Sequence, residues 1–344
     1  MKNDTVKSRE RVKRAIHFQG PDRVPHYLLD GGENDVLWGI DSFIRPSDMQ
    51  PWTLNGSHET RIDAWGVVWK RPLGDTSKGQ AKQWPIKDIT RQADYVFPDY
   101  NHPGNFNRLR AEIETNLLQD NPKYVLGVAP FSSLNEGTHN IRGLQNMFMD
   151  YYDHPDYLCA LIGRLAEKQY ESIRILADLG CDGVMVYDDW GLQTRLMVSI
   201  DFIEAFFMPY YRTNWALAHD LGLEVWMHSC GHILDALPIF IEAGLDVVQM
   251  DQQENMGLEN LAKRVGGKIA FWCPVDIQNT MVYGTLEDIE NYVKRMIATL
   301  GAYNGGLISM AYTTPEDIGQ TTEKMAVMCR AFRKYGIYPE QTNC

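Results

Sequence analysis

The chain has 344 residues, of which 44% are hydrophobic and 23% are charged, and its formal net charge is −12 at pH 7. Its length and apolar content fit a globular protein with one large core or two modest ones. The acidic balance and the lack of a basic cluster argue against binding to nucleic acid or to an anionic membrane surface. No run of 18 apolar residues occurs in the sequence, so we predict no membrane-spanning helix.

The expected compartment follows from the N-terminus and the cysteines. Residues 1–10 lack the apolar stretch of a signal peptide. Six cysteines in so long a chain do not resemble a disulfide framework. Cys159, Cys181 and Cys329 fall in or beside helical patterns, where we expect them to pack in the core. We therefore expect a cytoplasmic protein.

From about residue 120 onward, short apolar runs alternate with longer amphipathic stretches, as in β–α units around a parallel sheet. Two earlier runs would complete eight strands, which favours an α/β fold of the TIM-barrel type, (β/α)₈, over an open doubly wound sheet. The predicted strands are residues 24–29, 65–69, 124–129, 183–187, 223–228, 247–250, 269–273 and 307–311.

We expect one domain over residues 1–344, with an elaborated insertion or lid at residues 31–120. That stretch is rich in glycine, proline, tryptophan and aspartate and shows little periodicity.

The run 223–228 ends in His228, and Cys230 follows two residues later. Residues i and i+2 of a strand face the same side, so the imidazole and the thiol converge. These groups suit zinc, and Cys273 ends a further strand at the same predicted mouth. We predict a zinc ion held by His228, Cys230 and Cys273, with a fourth position open for water or substrate. The alternative is that these side chains belong to the core.

Asp188 and Asp189 follow the run 183–187. Consecutive strand residues face opposite sides, so we expect one of the two carboxylates to enter the mouth. It would act as a general acid or base, orient a ligating histidine, or become a fourth metal ligand. The alternative is an aspartate that caps the following helix. Asp251, after the run 247–250, is a weaker candidate of the same kind.

Aromatic residues collect near the predicted strand ends. Most of them are expected in the core or the barrel wall. A mouth with several rings would nevertheless suit a planar apolar substrate. The candidate substrate-binding residues are Tyr187, Trp190, Trp226, Trp272 and Tyr312.

The chain resembles the uroporphyrinogen decarboxylase superfamily, specifically its corrinoid-dependent zinc methyltransferase branch, and is similar to O-demethylase methyltransferases. The matching stretches span nearly the whole chain. They are residues 9–15 leading into Gly20-Pro21-Asp22-Arg23-Val24-Pro25, then Tyr187-Asp188-Asp189-Trp190-Gly191, His228-Ser229-Cys230-Gly231, and the closing strand and helix from Gly305.

The resemblance implies a TIM barrel and zinc-dependent methyl transfer that involves a corrinoid (cobalamin) supplied by a partner protein. In that branch a His-x-Cys pair and a more distant cysteine hold zinc, and His228 and Cys230 match the pair. The similar coenzyme M methyltransferases carry the third ligand on the last strand, but residues 307–312 contain no cysteine. Cys273 is the replacement, which disfavours coenzyme M as substrate. The arginine-rich segment of the decarboxylases has no counterpart at residues 26–33, which disfavours porphyrinogen decarboxylation.

We therefore expect an enzyme that cleaves the methyl ether of a small methoxylated aromatic compound and passes the methyl group to cobalt(I) of a partner corrinoid protein. Zinc, as a Lewis acid, would offset the negative charge on the leaving phenolate. The runner-up is a methylcobamide-dependent thiol methyltransferase of the coenzyme M type. A uroporphyrinogen decarboxylase and a non-catalytic corrinoid- or metal-binding protein are further alternatives. The insertion would serve as the docking or lid element for the corrinoid protein.

Overall fold

The computed structural model describes residues 6–39, 51–75, 79–312 and 315–339. Strands are numbered along the chain. They are β1 (His26–Tyr27), β2 (Val36–Trp38), β3 (Thr53–Asn55), β4 (His58–Ile62), β5 (Val68–Pro72), β6 (Gln80–Gln83), β7 (Tyr124–Val128), β8 (Gly183–Tyr187), β9 (Glu224–His228), β10 (Val247–Gln249), β11 (Ala270–Cys273) and β12 (Leu307–Met310).

The α-helices are numbered in the same way. They are α1 (Ser8–Ile16), α2 (Asn107–Leu117), α3 (Asn135–Arg142), α4 (Leu144–Asp153), α5 (Pro155–Asp178), α6 (Ile200–Phe206), α7 (Met208–Asp220), α8 (Leu237–Glu242), α9 (Leu258–Val265), α10 (Thr280–Tyr283), α11 (Leu286–Thr299) and α12 (Thr322–Tyr335). Among the described residues, none of these helices combines the length and apolarity needed to cross a membrane.

Eight parallel strands form one sheet in the order β1–β12–β11–β10–β9–β8–β7–β2. The sheet curls into a nearly closed barrel with helices on its outside, which confirms the predicted TIM-barrel fold. The register shows which strand residues face the barrel interior and which face the helices. Trp226, Val247 and Ala270 lie in one row and pack in the core inside the barrel. The residues next in sequence, among them Val248 and Phe271, pack in the outer core between the sheet and the helices.

The six strands predicted from residue 124 onward are confirmed to within one or two residues at their ends. The prediction for residues 65–69 is wrong, because these residues lead into β5 of a separate antiparallel sheet. The second barrel strand is β2 instead. Its short apolar run lies in the poorly periodic stretch 31–120, outside the alternation of apolar and amphipathic runs that marks the later strands.

Part of the predicted insertion is a four-stranded antiparallel sheet in the order β3–β4–β5–β6. The turn before β5 anchors it to the barrel, since the ring of Trp65 contacts that of Phe131 edge-to-face at 5.5 Å. Residues 40–50 and 76–78 of the insertion lie outside the described residues. The lid role of residues 31–120 stays a prediction.

A buried ion network bridges β1 and β2, the two edges of the barrel sheet. Arg11 on α1 is fully buried and donates to the carboxylates of Asp22 and Asp35. Arg23 also donates to Asp35, which accepts from the backbone N–H of His26 at 2.8 Å. Burial alone would raise the pKa of Asp35, but the two guanidinium groups outweigh it and hold this pKa below its ordinary value. The arginine of the Gly-Pro-Asp-Arg-Val-Pro motif thus helps to close the barrel.

We expect Asp35→Asn to lower the free energy of unfolding by about 3–5 kcal/mol, because it leaves two cations with little compensation in the interior. Urea denaturation followed by circular dichroism measures this change. Asp30→Asn is the matched control. Asp30 pairs with Arg333 at a partly exposed site, where a salt bridge contributes about 0–1 kcal/mol. Equal losses in both variants would contradict the role assigned to the network.

The contribution of Asp35 to the free energy of unfolding decreases as the pH falls. Because the pKa of Asp35 is lower in the folded state than in the unfolded chain, its contribution is present above about pH 4 and is lost as the pH falls. The stabilities of the native protein and Asp35→Asn should therefore converge on acidification below pH 4.

Candidate metal centre

The ends of β8 and β9 hold the candidate donor residues side by side. Tyr187 pairs with His228 in the parallel register, and the loops that follow are joined by a hydrogen bond from the Gly191 N–H to the Cys230 carbonyl. The Cys230 N–H in turn donates to Asp189 Oδ1 at 2.7 Å. The two loops therefore carry Asp189 and Cys230 toward one point.

Two glycines make this approach possible. A Cβ atom at Gly191 would collide with the backbone of Gly231, and a Cβ at Gly231 would collide with that of Gly191. Gly231 also has φ of +77°, a conformation that favours glycine. These residues explain why both motifs place a glycine just after their functional side chains.

Asp189, His228 and Cys230 form a group whose ligand atoms all lie within 4.8 Å of one another. His228 Nε2 is 3.3 Å from Cys230 Sγ and 3.5 Å from Asp189 Oδ1. All three residues are partly exposed, so the group is open to solvent. One nitrogen, one sulfur and one carboxylate oxygen form a donor set of the kind that zinc accepts in proteins.

Gln249 fixes the orientation of His228, a role that no pattern in the sequence predicts. It lies beside His228 in the register of β9 and β10, and its Oε1 forms a hydrogen bond with His228 Nδ1. Its Nε2 donates to Asp251 Oδ1 at 2.8 Å and contacts Met310 Sδ at 3.3 Å. The amide oxygen is thus an acceptor for the Nδ1–H, which leaves the lone pair of His228 on Nε2. That is the form in which a histidine binds a metal.

The charges around Cys230 also fit a cation. Burial raises the pKa of its thiol, and the carboxylates of Asp189, Asp251 and Glu136 raise it further. The pKa of Asp251 is itself raised, mainly by burial. A divalent cation would offset this negative field and stabilise the thiolate, which is the ligating form of cysteine.

The structure does not bring Cys273 into this group. Its neighbour Trp272 faces the barrel interior, and alternation turns Cys273 to the other face of β11. There it is fully buried in the outer core, and burial raises the pKa of its thiol. Asp189 occupies the place that the sequence prediction gave to Cys273.

The two aspartates have separate environments. Asp188 is fully buried and accepts hydrogen bonds at the start of α3, whereas Asp189 lies with His228 and Cys230. Burial raises the pKa of Asp188 to about 6 although its hydrogen bonds lower it. Asp188 therefore caps a helix that precedes it in the chain and positions Glu136. Its donors are the hydroxyls of Ser133 and Tyr211 and the backbone N–H groups of Leu134, Asn135 and Glu136.

Three of the five predicted substrate-binding residues lie on the inner face of the barrel. The ring of Tyr187 is 5.6 Å from that of His228. Trp226 and Trp272 are fully buried and touch edge-to-face at 5.3 Å. Trp190 lies in the outer core, away from the mouth, and Tyr312 is partly buried just after β12.

Two further rings of the inner face went unnoticed in the sequence. Tyr27 and Trp38 contact Trp272 at 5.8 Å and 5.0 Å. They end β1 and β2, which precede the regular alternation of apolar and amphipathic runs that begins at about residue 120. The interior next to the donor group is therefore lined by aromatic rings.

A model of the uroporphyrinogen decarboxylase (URO-D) family matches residues 122–335. The chain belongs to this family. The match covers β7–β12 and all three residues of the donor group. It leaves out the N-terminal ion network and the antiparallel sheet.

Individual URO-D relatives are distant. The uroporphyrinogen decarboxylase of Pseudomonas putida (strain W619) is 28% identical over 171 residues, which are 48% of this chain and 46% of that protein. That of Dechloromonas aromatica (strain RCB) is 23% identical over 291 residues, 78% of this chain and 73% of that protein. The chain thus spans about half the length of some of the curated relatives that it matches.

A solved structure shares the complete fold. A methyltransferase from Methanosarcina mazei superposes with a TM-score of 0.67 at 12% sequence identity, covering 96% of this chain and 99% of that one. At this identity the likeness shows the fold alone.

We expect this URO-D family protein to bind one zinc ion per chain. Cys230→Ala and Asp189→Ala each remove a donor and should weaken zinc binding by more than about 100-fold, beyond the 10–100-fold typical of a residue that only orients a ligand. Elemental analysis and competition with a chromophoric chelator measure this. Cys273→Ala is the control and should keep its zinc. Loss of zinc in that variant would return Cys273 to the ligand set.

Gln249→Leu should weaken zinc binding by about 10–100-fold, because His228 loses the acceptor that fixes its tautomer. The same competition assay detects the change, and circular dichroism reports whether the fold is intact. Gln193→Leu, at an exposed glutamine that bonds only Asn255 and Gln278 among the partners described, should leave the affinity unchanged. Native affinity in a folded Gln249→Leu protein would show that Gln249 does not act on His228.

Proposed function

We propose that this URO-D family protein is a zinc-dependent methyltransferase. It cleaves the methyl ether of a small methoxylated aromatic compound and passes the methyl group to cobalt(I) of a partner corrinoid protein. The observation that carries the proposal is the Asp189–His228–Cys230 donor group at the mouth of a barrel lined by aromatic rings.

The donor residues fit the metal that this reaction needs. Asp189, His228 and Cys230 would hold zinc and leave a position open for the substrate, where as a Lewis acid the metal would offset the developing negative charge. Gln249 bonds His228 Nδ1 and so keeps the Nε2 lone pair available for the metal. The ring of Tyr187, beside His228, provides a surface on which the arene packs.

The proposed step is a displacement at the methyl carbon. The electron pair of cobalt(I) attacks the methyl carbon and forms the cobalt–carbon bond while the carbon–oxygen bond breaks. The arene leaves as a phenolate, which takes a proton from solvent. Attack must come from the side opposite to the oxygen, so the methyl group must point out of the mouth toward the partner protein.

The proteins to which this chain is similar bear on the class of reaction. The fold is shared with a protein described as a methyltransferase, which supports methyl transfer. The sequence relatives are uroporphyrinogen decarboxylases, whose name denotes a carboxylated substrate. Zinc would be matched in charge by Asp189 and the Cys230 thiolate, and the remaining carboxylates of Asp251 and Glu136 would repel such a substrate, so we favour a neutral ether.

The test mixes the zinc-loaded protein, a reduced corrinoid protein and a panel of methoxyarenes, and follows the conversion of cobalt(I) to methylcobalt by absorbance. We expect at least one methoxyarene to react and Cys230→Ala to be inactive. The proposal fails if no methoxyarene reacts while coenzyme M or another thiol demethylates methylcobalamin. That outcome would identify a thiol methyltransferase instead.

A further inference from the structure

The rings on the inner face of the barrel differ in exposure. Tyr27, Trp38 and Tyr187 end their strands at the carboxyl side and keep partial exposure, whereas Trp226 and Trp272 are fully buried. An aromatic substrate that reaches the donor group from the mouth meets the partly exposed rings first.

The indole N–H groups of these rings differ in their partners. Trp226 Nε1 donates to the hydroxyl of Tyr124 at 3.0 Å. Trp38 Nε1 and Trp272 Nε1 are buried and have no hydrogen-bond partner among the described residues. The two rings lie against each other, edge-to-face at 5.0 Å. An indole N–H can only donate, and the part of the chain that the structure describes offers neither of them an acceptor.

The surrounding charge restricts what that acceptor can be. None of the eight barrel strands contains lysine or arginine, and the charged groups that act on Cys230 are the carboxylates of Asp189, Asp251 and Glu136. With zinc bound, its two positive charges would be matched by Asp189 and the Cys230 thiolate, so Asp251 and Glu136 would still repel a substrate carboxylate at the mouth. An uncharged oxygen avoids this repulsion.

We propose that Trp38 and Trp272 form a substrate subsite whose N–H groups donate to a second, neutral oxygen on the arene, such as another methoxy or a hydroxyl group. This inference rests on the proposed function and deepens it. The preferred substrates are neutral arenes with two oxygen substituents, and methoxybenzoates are rejected.

Binding is measured by calorimetry without the corrinoid protein, so that it does not depend on turnover. One neutral hydrogen bond contributes roughly tenfold in affinity. We therefore expect 1,2-dimethoxybenzene to bind at least about tenfold more tightly than methoxybenzene. We expect 2-methoxybenzoate to bind more weakly than either.

Trp38→Phe and Trp272→Phe keep an aromatic ring and remove the donor. Each should lower the preference for 1,2-dimethoxybenzene, and the double variant should bring it to nearly one, while methoxybenzene still binds, which also shows that the variants are folded. Trp215→Phe is the matched control. Trp215 is a fully buried indole that likewise lacks a partner among the described residues, but it stacks on Tyr211 in the outer core.

The subsite is overturned if both barrel variants keep the native preference, if 2-methoxybenzoate binds most tightly, or if none of the arenes binds. Failure of the proposed function has a different result. The expected binding preference without methyl transfer to cobalt would leave the subsite in place and refute the reaction. Methyl transfer to cobalt with an unchanged binding preference in the variants would support the reaction and refute the subsite.

Discussion

In the register between β8 and β9, Tyr187 lies opposite His228, and the loops that follow leave the sheet side by side. Every feature of the donor group depends on this pairing. A shift of one residue would turn the imidazole out of the barrel. The contact between Gly191 and Gly231 then brings Asp189 within hydrogen-bond distance of the Cys230 backbone. Strand register and two glycines therefore set the geometry before any metal binds.

The same arrangement concentrates negative charge. Asp189, Asp251 and Glu136 all oppose ionisation of the Cys230 thiol, so the site is suited to a cation and unsuited to an anionic substrate. Gln249 links a donor residue to one of these carboxylates, since its amide oxygen bonds His228 and its amide nitrogen bonds Asp251. The aromatic interior beside the group is our reason for proposing an arene as substrate, and the negative charges are our reason for proposing a neutral one.

The fold and half of the site could be read from the sequence because each depends on local periodicity. Near-continuous apolar runs identified six barrel strands, and the i, i+2 spacing placed His228 and Cys230 on one face. The strand β2 was missed because its short apolar run lies in the poorly periodic stretch 31–120. For Asp188 and Asp189, alternation allowed only one to face the mouth but did not tell which one.

The remaining residues depend on information that one sequence does not hold. The pairing of β11 with β10 and β12 decides which of its residues face the barrel interior. The outward direction of Cys273 therefore could not be known from its place at a strand end. Gln249 acts on His228 across two strands, which only the register reveals. Glu136 reaches the site because Asp188 caps α3, a contact between segments about fifty residues apart.

X-ray absorption at the zinc edge tests the donor group most directly. With Asp189, His228 and Cys230 as ligands, the zinc-loaded protein should show a single sulfur at about 2.3 Å, with nitrogen and oxygen ligands at about 2.0–2.2 Å. Two sulfur ligands would contradict this account, because they would require a second cysteine that the structure directs away from the mouth.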